Sequence, residues 1–284
     1  MTQGSQTAAS TFAPRPQKAE APVVRLEHVS LAFDDKVVLS DVSFDLLPGH
    51  TKIILGASGS GKSTILKLIL GLLRPDGGAV WVNGERVDHL READLLRLRA
   101  DLGMVFQEGA LFDSLTVAEN VGYKLYEEMR MPKPEVDARV TEVLGFIGLA
   151  EFAERMPSEL SGGQRRRVAI ARAMASKPRV LLYDEPTTGL DPITATTVDD
   201  EIIKLRDLEN VSSIVVTHQL RDAFYVATHE AVKRDDGLLQ IEGADAQKSE
   251  EAEFLMLRDG LVAFEGHAEE LRSSKDPYLK TFLS

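Results

Sequence analysis

The sequence predicts an α/β fold in which helices cover a mostly parallel sheet. A short apolar run, TKIIL at 51–55, leads into a Gly-rich turn and then into an apolar helix. Strand and helix patterns alternate again after residue 164, whereas helical periodicity dominates between about 92 and 161. Because alternating strands and helices build parallel sheets, we expect the middle segment to be an α-helical subdomain inserted into such a core.

The first part of the chain divides into a tail and a strand region. Residues 1–22 are rich in Ala, Pro, Gln, Ser and Thr, which predicts a disordered tail. Apolar and polar residues alternate over 23–47 around an Asp34-Asp35 turn, which predicts an N-terminal antiparallel β-subdomain. No internal repeat is visible, so we expect one domain over 23–284.

The later elements follow from capping and periodicity. Thr116 and Glu119 form a T-x-x-E capping box, which predicts a helix running to Met129. Apolar positions from Val136 to Ile147 mark one face of a second helix. RVLLYD and SSIVVT have the composition of buried strands, and each precedes a helix pattern.

Composition limits the possible functions. Acidic residues outnumber basic ones by 45 to 33, and the net charge of −12 opposes binding to nucleic acid. The chain has no cysteine, which excludes disulfides and thiolate chemistry. No apolar run approaches the roughly 18 residues that span a bilayer, and residues 1–22 lack the apolar core of an export signal. These features predict a cytoplasmic protein that meets a membrane only through a partner.

The most specific motif is the Gly-rich turn that follows TKIIL. Its sequence, GASGSGKST, matches G-x-x-x-x-G-K-[ST], the loop that binds nucleotide phosphates. Glycines let backbone N–H groups approach phosphate oxygens, and the following helix directs its positive end at the anion. Lys62 is expected to reach the β- and γ-phosphates of ATP, and Ser63 to ligate Mg²⁺. The alternative, a chance Gly-rich turn, is disfavoured by the flanking strand and helix. The predicted ATP-binding residues here are Gly56, Ser58, Gly59, Ser60, Gly61, Lys62, Ser63 and Thr64.

A pair of acidic residues ends the strand RVLLYD. Asp184 would lie at the edge of the sheet beside the phosphate-binding loop and hold Mg²⁺, directly or through water. Glu185 follows and can orient a water molecule for attack on the γ-phosphate. Two solvated acids that cap a strand are the alternative, which the upstream loop disfavours.

A second Gly-rich turn opens a helix at Leu160-Ser161-Gly162-Gly163-Gln164. LSGGQ resembles the signature sequence of ABC-type ATPases, and with the upstream loop it indicates the P-loop NTPase core of that family. The resemblance implies that Ser161, Gly162, Gly163 and Gln164 bind the γ-phosphate of ATP held by another subunit. Two copies of the chain would then enclose two ATP molecules. An ordinary Gly-rich helix start is the alternative for this motif alone.

The resemblance assigns three further positions. Gln107, after the strand GMVF, matches the glutamine that contacts Mg²⁺ and links the nucleotide state to the helical subdomain. His218 matches the histidine that contacts the γ-phosphate, and Phe33 matches the aromatic residue that stacks on adenine. Taken singly, the three would be a surface glutamine, a structural histidine and a core phenylalanine. The expected catalytic residues are Glu185, His218, Gln107 and Lys62, and the expected metal ligands are Ser63, Gln107 and Asp184.

A narrower resemblance concerns the transported molecule. FQEGALFDSLTVAENV and YDEPTTGLDPITA are similar to ATPases of lipid-transporting systems whose partners carry mammalian-cell-entry (MCE) domains. This resemblance implies a homodimer bound to a multi-span membrane permease, an MCE-domain partner, and a peripheral position at the cytoplasmic face of the inner membrane. An amino-acid-type importer, a soluble ATPase acting on DNA or ribosomes, and a nucleotide-binding scaffold without turnover are the alternatives.

Three other segments carry hypotheses. Residues 233–253 are acidic where the family passes almost directly between strands, which predicts a partly hairpin insertion; a tolerated loop elaboration is the alternative to a role. The apolar stretch from Gly109 to Phe112 predicts a docking groove for the permease, or else packing inside the helical subdomain. The run at 165–167, three arginines, is expected to be a solvated or salt-bridged helix face.

Overall fold

The computed structural model describes residues 21–234 and 239–283. The predicted disordered tail therefore lies, up to residue 20, outside the described residues. In the described part the strands are β1 (Val24–Phe33), β2 (Lys36–Leu46), β3 (Thr51–Gly56), β4 (Gly77–Val82), β5 (Glu85–Arg86), β6 (Leu102–Val105), β7 (Val180–Asp184), β8 (Ser212–Thr217), β9 (His229–Lys233), β10 (Leu239–Gly243), β11 (Ala252–Arg258) and β12 (Leu261–Gly266). The helices are α1 (Lys62–Ile69), α2 (Glu92–Ala100), α3 (Val117–Glu127), α4 (Lys133–Phe146), α5 (Gly162–Ala175), α6 (Pro192–Glu209), α7 (Leu220–Thr228), α8 (Ala246–Ser249), α9 (Ala268–Ser273) and α10 (Pro277–Leu283).

The largest sheet has the strand order β12-β11-β3-β8-β7-β6. All its neighbouring strands pair in parallel except β11 and β12. The predicted mostly parallel α/β core is therefore confirmed.

The side chains of β3 show why this sheet is buried on both faces. Ile53 and Leu55 point into a core formed with α3 to α7, whereas Ile54 points into a second core formed with α1 and the N-terminal strands. Alternate residues of a strand face opposite sides of the sheet, so an uninterrupted apolar run fits a strand covered on both sides.

The N-terminal strands form a separate antiparallel sheet in the order β2-β1-β4-β5. β1 and β2 close into a hairpin with Phe33 opposite Lys36, and Asp34 takes the left-handed backbone conformation, with φ at 51°. The predicted antiparallel region is confirmed, and β4 and β5, which the sequence analysis did not predict, complete the sheet.

The helical part of the chain contains α3 and α4. The predicted capping box opens α3, because the Thr116 Oγ1 accepts from the Glu119 N–H at 3.2 Å and Glu119 Oε2 accepts from the Thr116 N–H at 2.7 Å. The range predicted as helical, 92–161, also contains β6, which overlaps the predicted strand GMVF and pairs with β7 in the large sheet. The bounds of the helical subdomain stay a prediction.

The described part of the 233–253 segment is attached to α6. β9 and β10 pair as an antiparallel hairpin. Asp207 on α6 accepts from the Ala231 N–H at 2.8 Å and lies 2.9 Å from the Lys248 Nζ. Within the residues that the structure describes, no helix is both long enough and apolar enough to cross a membrane.

Candidate active site

The carboxyl ends of four parallel strands meet at one edge of the large sheet. β3 leads into the Gly-rich loop at 56–61, and β8 ends immediately before His218. β7 ends at Asp184, and β6 ends shortly before Gln107. Because β3, β8, β7 and β6 are consecutive in the sheet, groups that are distant in sequence converge at this edge.

The Gly-rich loop curls around the side chain of Lys62. The Lys62 Nζ donates to the carbonyl oxygens of Gly56 at 2.8 Å and Ala57 at 3.1 Å. Gly61 has φ at 101°, and a Cβ there would lie 2.7 Å from the Leu39 Cδ2, so this position requires glycine. Burial lowers the pKa of Lys62, and the charges of Glu185 and Asp184 oppose that shift.

A hydroxyl and a carboxylate lie side by side next to this loop. The Ser63 Oγ donates to Asp184 Oδ1 at 2.8 Å. Burial is the main cause that raises the pKa of Asp184; the hydrogen bond from Ser63 and the charge of Lys62 oppose it, while the charge of Glu185 adds to it. Two hard oxygen donors in contact are a ligand set that fits Mg²⁺.

Glu185 is held in an unusual backbone conformation. Its φ is 50°, in the left-handed region that few non-glycine residues adopt, and its N–H donates to the Val216 carbonyl at 2.8 Å. Glu185 Oε2 lies 2.8 Å from the His218 Nδ1 and accepts from the Thr188 Oγ1 at 3.0 Å. Glu185 Oε1 lies 3.8 Å from the Lys62 Nζ. The carboxylate is therefore fixed between a cation, an imidazole and a hydroxyl.

Lys62, Ser63, Glu185 and His218 line one pocket of about 680 Å³. Its size lies within the range of small-molecule sites, and its lining includes both a cation, Lys62, and a carboxylate, Glu185, with 3.8 Å between their charged atoms. The lining residues are Val38, Ala57, Ser58, Gly59, Gly61, Lys62, Ser63, Thr64, Gln107, Glu185, His218 and Phe282.

Other predicted site residues lie elsewhere. Ser161 caps α5: its Oγ accepts from the Gln164 N–H at 3.2 Å, and Gln164 Oε1 accepts from the Ser161 N–H at 2.8 Å. Gly162 lines a separate pocket of about 300 Å³ beside Thr188. The residues predicted from the sequence that do not line the 680 Å³ pocket are Phe33, Gly56, Ser60, Asp184, Ser161, Gly162, Gly163 and Gln164.

For some of these residues the structure gives a specific position. Asp184 accepts a hydrogen bond from Ser63, which lines the pocket, and the Gly56 carbonyl accepts one from the Lys62 Nζ. Phe33 is 48% exposed, and its stacking role stays a prediction. Val38 and Phe282 line the pocket without having been predicted. In the sequence, Val38 could have been suspected only because it lies close to Phe33, the predicted adenine-stacking residue. Nothing in the sequence pointed to Phe282, because it lies near the far end of the chain.

The strand–loop–helix arrangement and its buried lysine place the protein in the class of phosphate-loop nucleoside triphosphatases. A family model described as ABC transporter matches residues 39–188. A solved dimeric ATP-binding cassette in a post-hydrolysis state with ADP and phosphate superposes with a TM-score of 0.69 at 32% identity, covering 86% of this chain and 98% of that one.

Relatives in sequence extend the match beyond the family core. Protein TRIGALACTOSYLDIACYLGLYCEROL 3, chloroplastic, of Arabidopsis thaliana is 37% identical over 279 residues, covering 92% of this chain and 73% of that protein. The intermembrane phospholipid transport system ATP-binding protein MlaF of Escherichia coli K12 is 32% identical over 267 residues, covering 94% and 90%. The methionine import ATP-binding protein MetN of Carboxydothermus hydrogenoformans is 40% identical over 205 residues, covering 72% of this chain and 60% of that protein. The chain belongs to the ABC transporter family, as one of its ATPase subunits.

Proposed function

We propose that this ATPase subunit hydrolyses ATP at sites shared by two copies of the chain and thereby drives a membrane permease that moves phospholipid. The observation that carries the proposal is the convergence of Lys62, Glu185, Gln107 and His218 on one pocket, while the LSGGQ turn lies outside it. The convergence of these four side chains supports hydrolysis of ATP. The position of the LSGGQ turn outside the pocket supports a site that is shared between two copies.

Each residue in the pocket has a role that its position supports. The loop backbone and Lys62 bind the phosphates of ATP, because backbone N–H groups at a helix start and a lysine ammonium both attract an anion. Glu185 orients the attacking water and accepts its proton, and His218 holds the carboxylate in place from 2.8 Å. Ser63, Asp184 and Gln107 would hold Mg²⁺, which supplies charge neutralisation at the phosphates.

The turn at 160–164 completes the site of another copy. Ser161 and Gly162 are exposed at the start of α5, where backbone N–H groups and the helix dipole favour an anion. The solved relative with ADP and phosphate is dimeric. We therefore assign these exposed groups to the γ-phosphate of ATP bound by the partner copy.

The lipid cargo is supported by the extent of the match. The relative named for intermembrane phospholipid transport aligns over 90% of its own length, whereas the methionine import relative aligns over 60% of its length. Import of an amino acid is the second candidate, favoured by the higher identity of that shorter match.

Partners and location follow from the same assignment. The subunit would lie peripherally at the cytoplasmic face of the inner membrane, bound to a multi-span permease, with an MCE-domain protein as a further partner.

The stretch from Gly109 to Phe112, a candidate docking groove, divides between the two alternatives. Leu111 packs partly against the core, which favours packing inside the helical subdomain for this residue. Phe112 remains available for docking because its side chain is exposed. Its ring centroid lies 4.6 Å from that of Tyr123, so the two rings form an aromatic pair. The single domain at 23–284 also stays a prediction.

Reconstitution tests the proposal. The full chain, co-purified with its permease, is placed in liposomes that contain a fluorescent phospholipid or, in a separate preparation, a radiolabelled amino acid. We expect ATP-dependent movement of the phospholipid and none of the amino acid. Movement of the amino acid alone would refute the lipid assignment, and absence of ATP hydrolysis in the complex would refute the enzyme assignment.

A further inference from the structure

The arginine run that follows the LSGGQ turn is not a uniform solvated face. Arg166 is only 6% exposed, whereas Arg165 and Arg167 are partly exposed. The expectation of a solvated or salt-bridged face is therefore wrong at Arg166. Among the described residues, its guanidinium forms no salt bridge, although the charge of Glu108 acts on it. A buried charge without an ion-pair partner is costly unless its hydrogen bonds are satisfied, so the position needs an explanation.

The guanidinium instead donates to two backbone carbonyls on two other segments. Its Nη1 lies 2.8 Å from the Phe106 oxygen, and its Nη2 lies 3.4 Å from the Thr188 oxygen. Phe106 directly precedes Gln107, and Thr188 follows Glu185 by three positions. A single side chain on α5 thus connects the segments that carry two of the pocket's functional groups.

The contact at Thr188 continues to the carboxylate. The Thr188 Oγ1 donates to Glu185 Oε2 at 3.0 Å, and the Gln219 Nε2 lies 3.5 Å from the same hydroxyl. A displacement of α5 would therefore move the Thr188 backbone and, through its hydroxyl, the orientation of Glu185. Arg166 itself does not line the pocket.

We propose that Arg166 is a positioning residue that transmits the position of the LSGGQ helix through Thr188 to Glu185. This inference rests on the proposed function, because it assumes that Glu185 orients the attacking water. A planar guanidinium with several donors can span two carbonyls, which neither lysine nor glutamine can do with the same geometry. Burial lowers the pKa of Arg166 and the charge of Glu108 opposes that shift.

The test compares Arg166→Gln with Arg167→Gln in the full chain bound to its permease. Arg167 is a matched control, because it lies on the same helix and also donates to a backbone carbonyl, that of Ile147 at 3.1 Å, away from the pocket. We expect Arg166→Gln to lower kcat by about 10- to 100-fold with KM for ATP within about twofold, because misorientation affects the chemical step and not phosphate binding. Arg167→Gln should keep the parental kcat.

A double-mutant cycle distinguishes positioning from a general loss of structure. Thr188→Ala removes the hydroxyl that contacts Glu185 but leaves the backbone carbonyl. If Arg166 acts through Thr188, combining the two changes should lower kcat less than the product of their separate effects. Arg166→Lys, which retains the charge, should fall between the parent and Arg166→Gln, and it provides the same measurement if the glutamine variant does not fold.

The outcomes are separable. A parental kcat in Arg166→Gln, a rise in KM without a fall in kcat, or multiplicative effects with Thr188→Ala would overturn the positioning role while leaving the ATPase intact. A parent complex that hydrolyses no ATP would instead overturn the proposed function.

Discussion

The two Gly-rich turns of this chain use glycine for different physical reasons. In the loop at 56–61, Gly59 and Gly61 take φ values of 81° and 101°, so that the backbone can curl around Lys62. In the second turn, Gly163 lies in an ordinary helical conformation, but a Cβ there would lie 2.1 Å from the Thr194 Cγ2. One turn needs conformational freedom to enclose a ligand, and the other needs a close approach between α5 and α6.

The difference explains why one turn forms a pocket and the other does not. The first turn is surrounded by Ser63, Glu185 and His218, which supply charge and hydrogen-bonding groups. The second turn leaves Ser161 and Gly162 exposed and rests on α6. The first turn thus lies in a pocket within one chain, and the second is an exposed surface that, on the proposed function, meets the partner copy.

The largest expected effect concerns the first turn. Glu185→Gln preserves shape but removes the charge and basicity of the carboxylate, so kcat should fall by about a hundredfold or more. Binding of ATP should survive, because Lys62 and the loop are unchanged. Steady-state phosphate release and nucleotide titration measure the two quantities. Glu209→Gln, at the exposed end of α6, is the control and should match the parent. Parental turnover in Glu185→Gln would show that another group orients the water.

The second prediction tests whether the other turn serves a partner. Ser161→Arg fills the space in front of α5, so hydrolysis should fall by about 10- to 100-fold while each subunit still binds ATP. The change also removes a helix cap, worth about 1 kcal/mol. Thr116→Arg removes the equivalent cap from α3 and serves as the control for that loss. Normal hydrolysis by Ser161→Arg would contradict the shared site.

Mixing variants sharpens the same test. A pair that combines Ser161→Arg with Lys62→Ala has both lesions in one composite site and leaves the other site intact. Lys62→Ala alone should weaken ATP binding, because it removes a cationic contact to phosphate. Partial recovery of hydrolysis in the mixture, measured against either variant alone, is expected only if each site draws one turn from each copy.

The sequence allowed part of this comparison to be predicted. Lys62, Asp184, Glu185, Gln107 and His218 follow apolar strand patterns, and the ends of parallel strands lie on the same edge of a sheet. Their convergence could therefore be expected from local patterns.

The remaining features depend on tertiary structure. Phe282 lines the pocket because α10 packs against the core of the protein. Leu279 is the buried residue that holds this helix in place. The burial of Arg166 could not be predicted from a run of three arginines, because composition does not indicate which of them faces the neighbouring carbonyls.

The third prediction concerns the helix that supports the second turn. Asp199 on α6 and Asp222 on α7 are almost fully buried, and each has a carboxylate oxygen without a hydrogen-bond partner in the described part of the chain. Burial, and next the charge of Asp222, raise the pKa of Asp199 to about 9. The folded state then holds a proton that the unfolded chain loses above about pH 4, so stability should decrease as pH rises from about 4 towards 9.

The Asn variant measures this contribution. Because Asn cannot ionise, Asp199→Asn should lose less stability than the parent between pH 5.5 and 8.5, by roughly 4 kcal/mol, since one proton contributes about 1.36 kcal/mol for each pH unit between the two pKa values. Urea unfolding at the two pH values gives the difference, and Glu209→Gln on the same helix should leave the parental pH dependence unchanged. An identical pH dependence in Asp199→Asn would mean that Asp199 is ionised in the folded protein at neutral pH.

The smallest effect tests the close approach itself. Gly163→Ala places a methyl group against the Thr194 Cγ2, so α5 and α6 must separate and the free energy of unfolding should fall by about 1 to 2 kcal/mol. Gly145→Ala is the control, since a Cβ at that position of α4 meets no atom within 4 Å, and it should be neutral or slightly stabilising.

Thr194→Ser supplies the decisive combination. Serine lacks the obstructing methyl group but keeps the hydroxyl that donates to Asp191 Oδ2 at 2.5 Å. In the Gly163→Ala background, Thr194→Ser should therefore restore most of the lost stability, although a hydrophobic contact is removed. If the double variant is less stable than Gly163→Ala alone, the glycine is required for another reason. The close approach of α6 would then not explain why position 163 is glycine. Restoration would show that the second turn is glycine-rich because α6 lies so close to it.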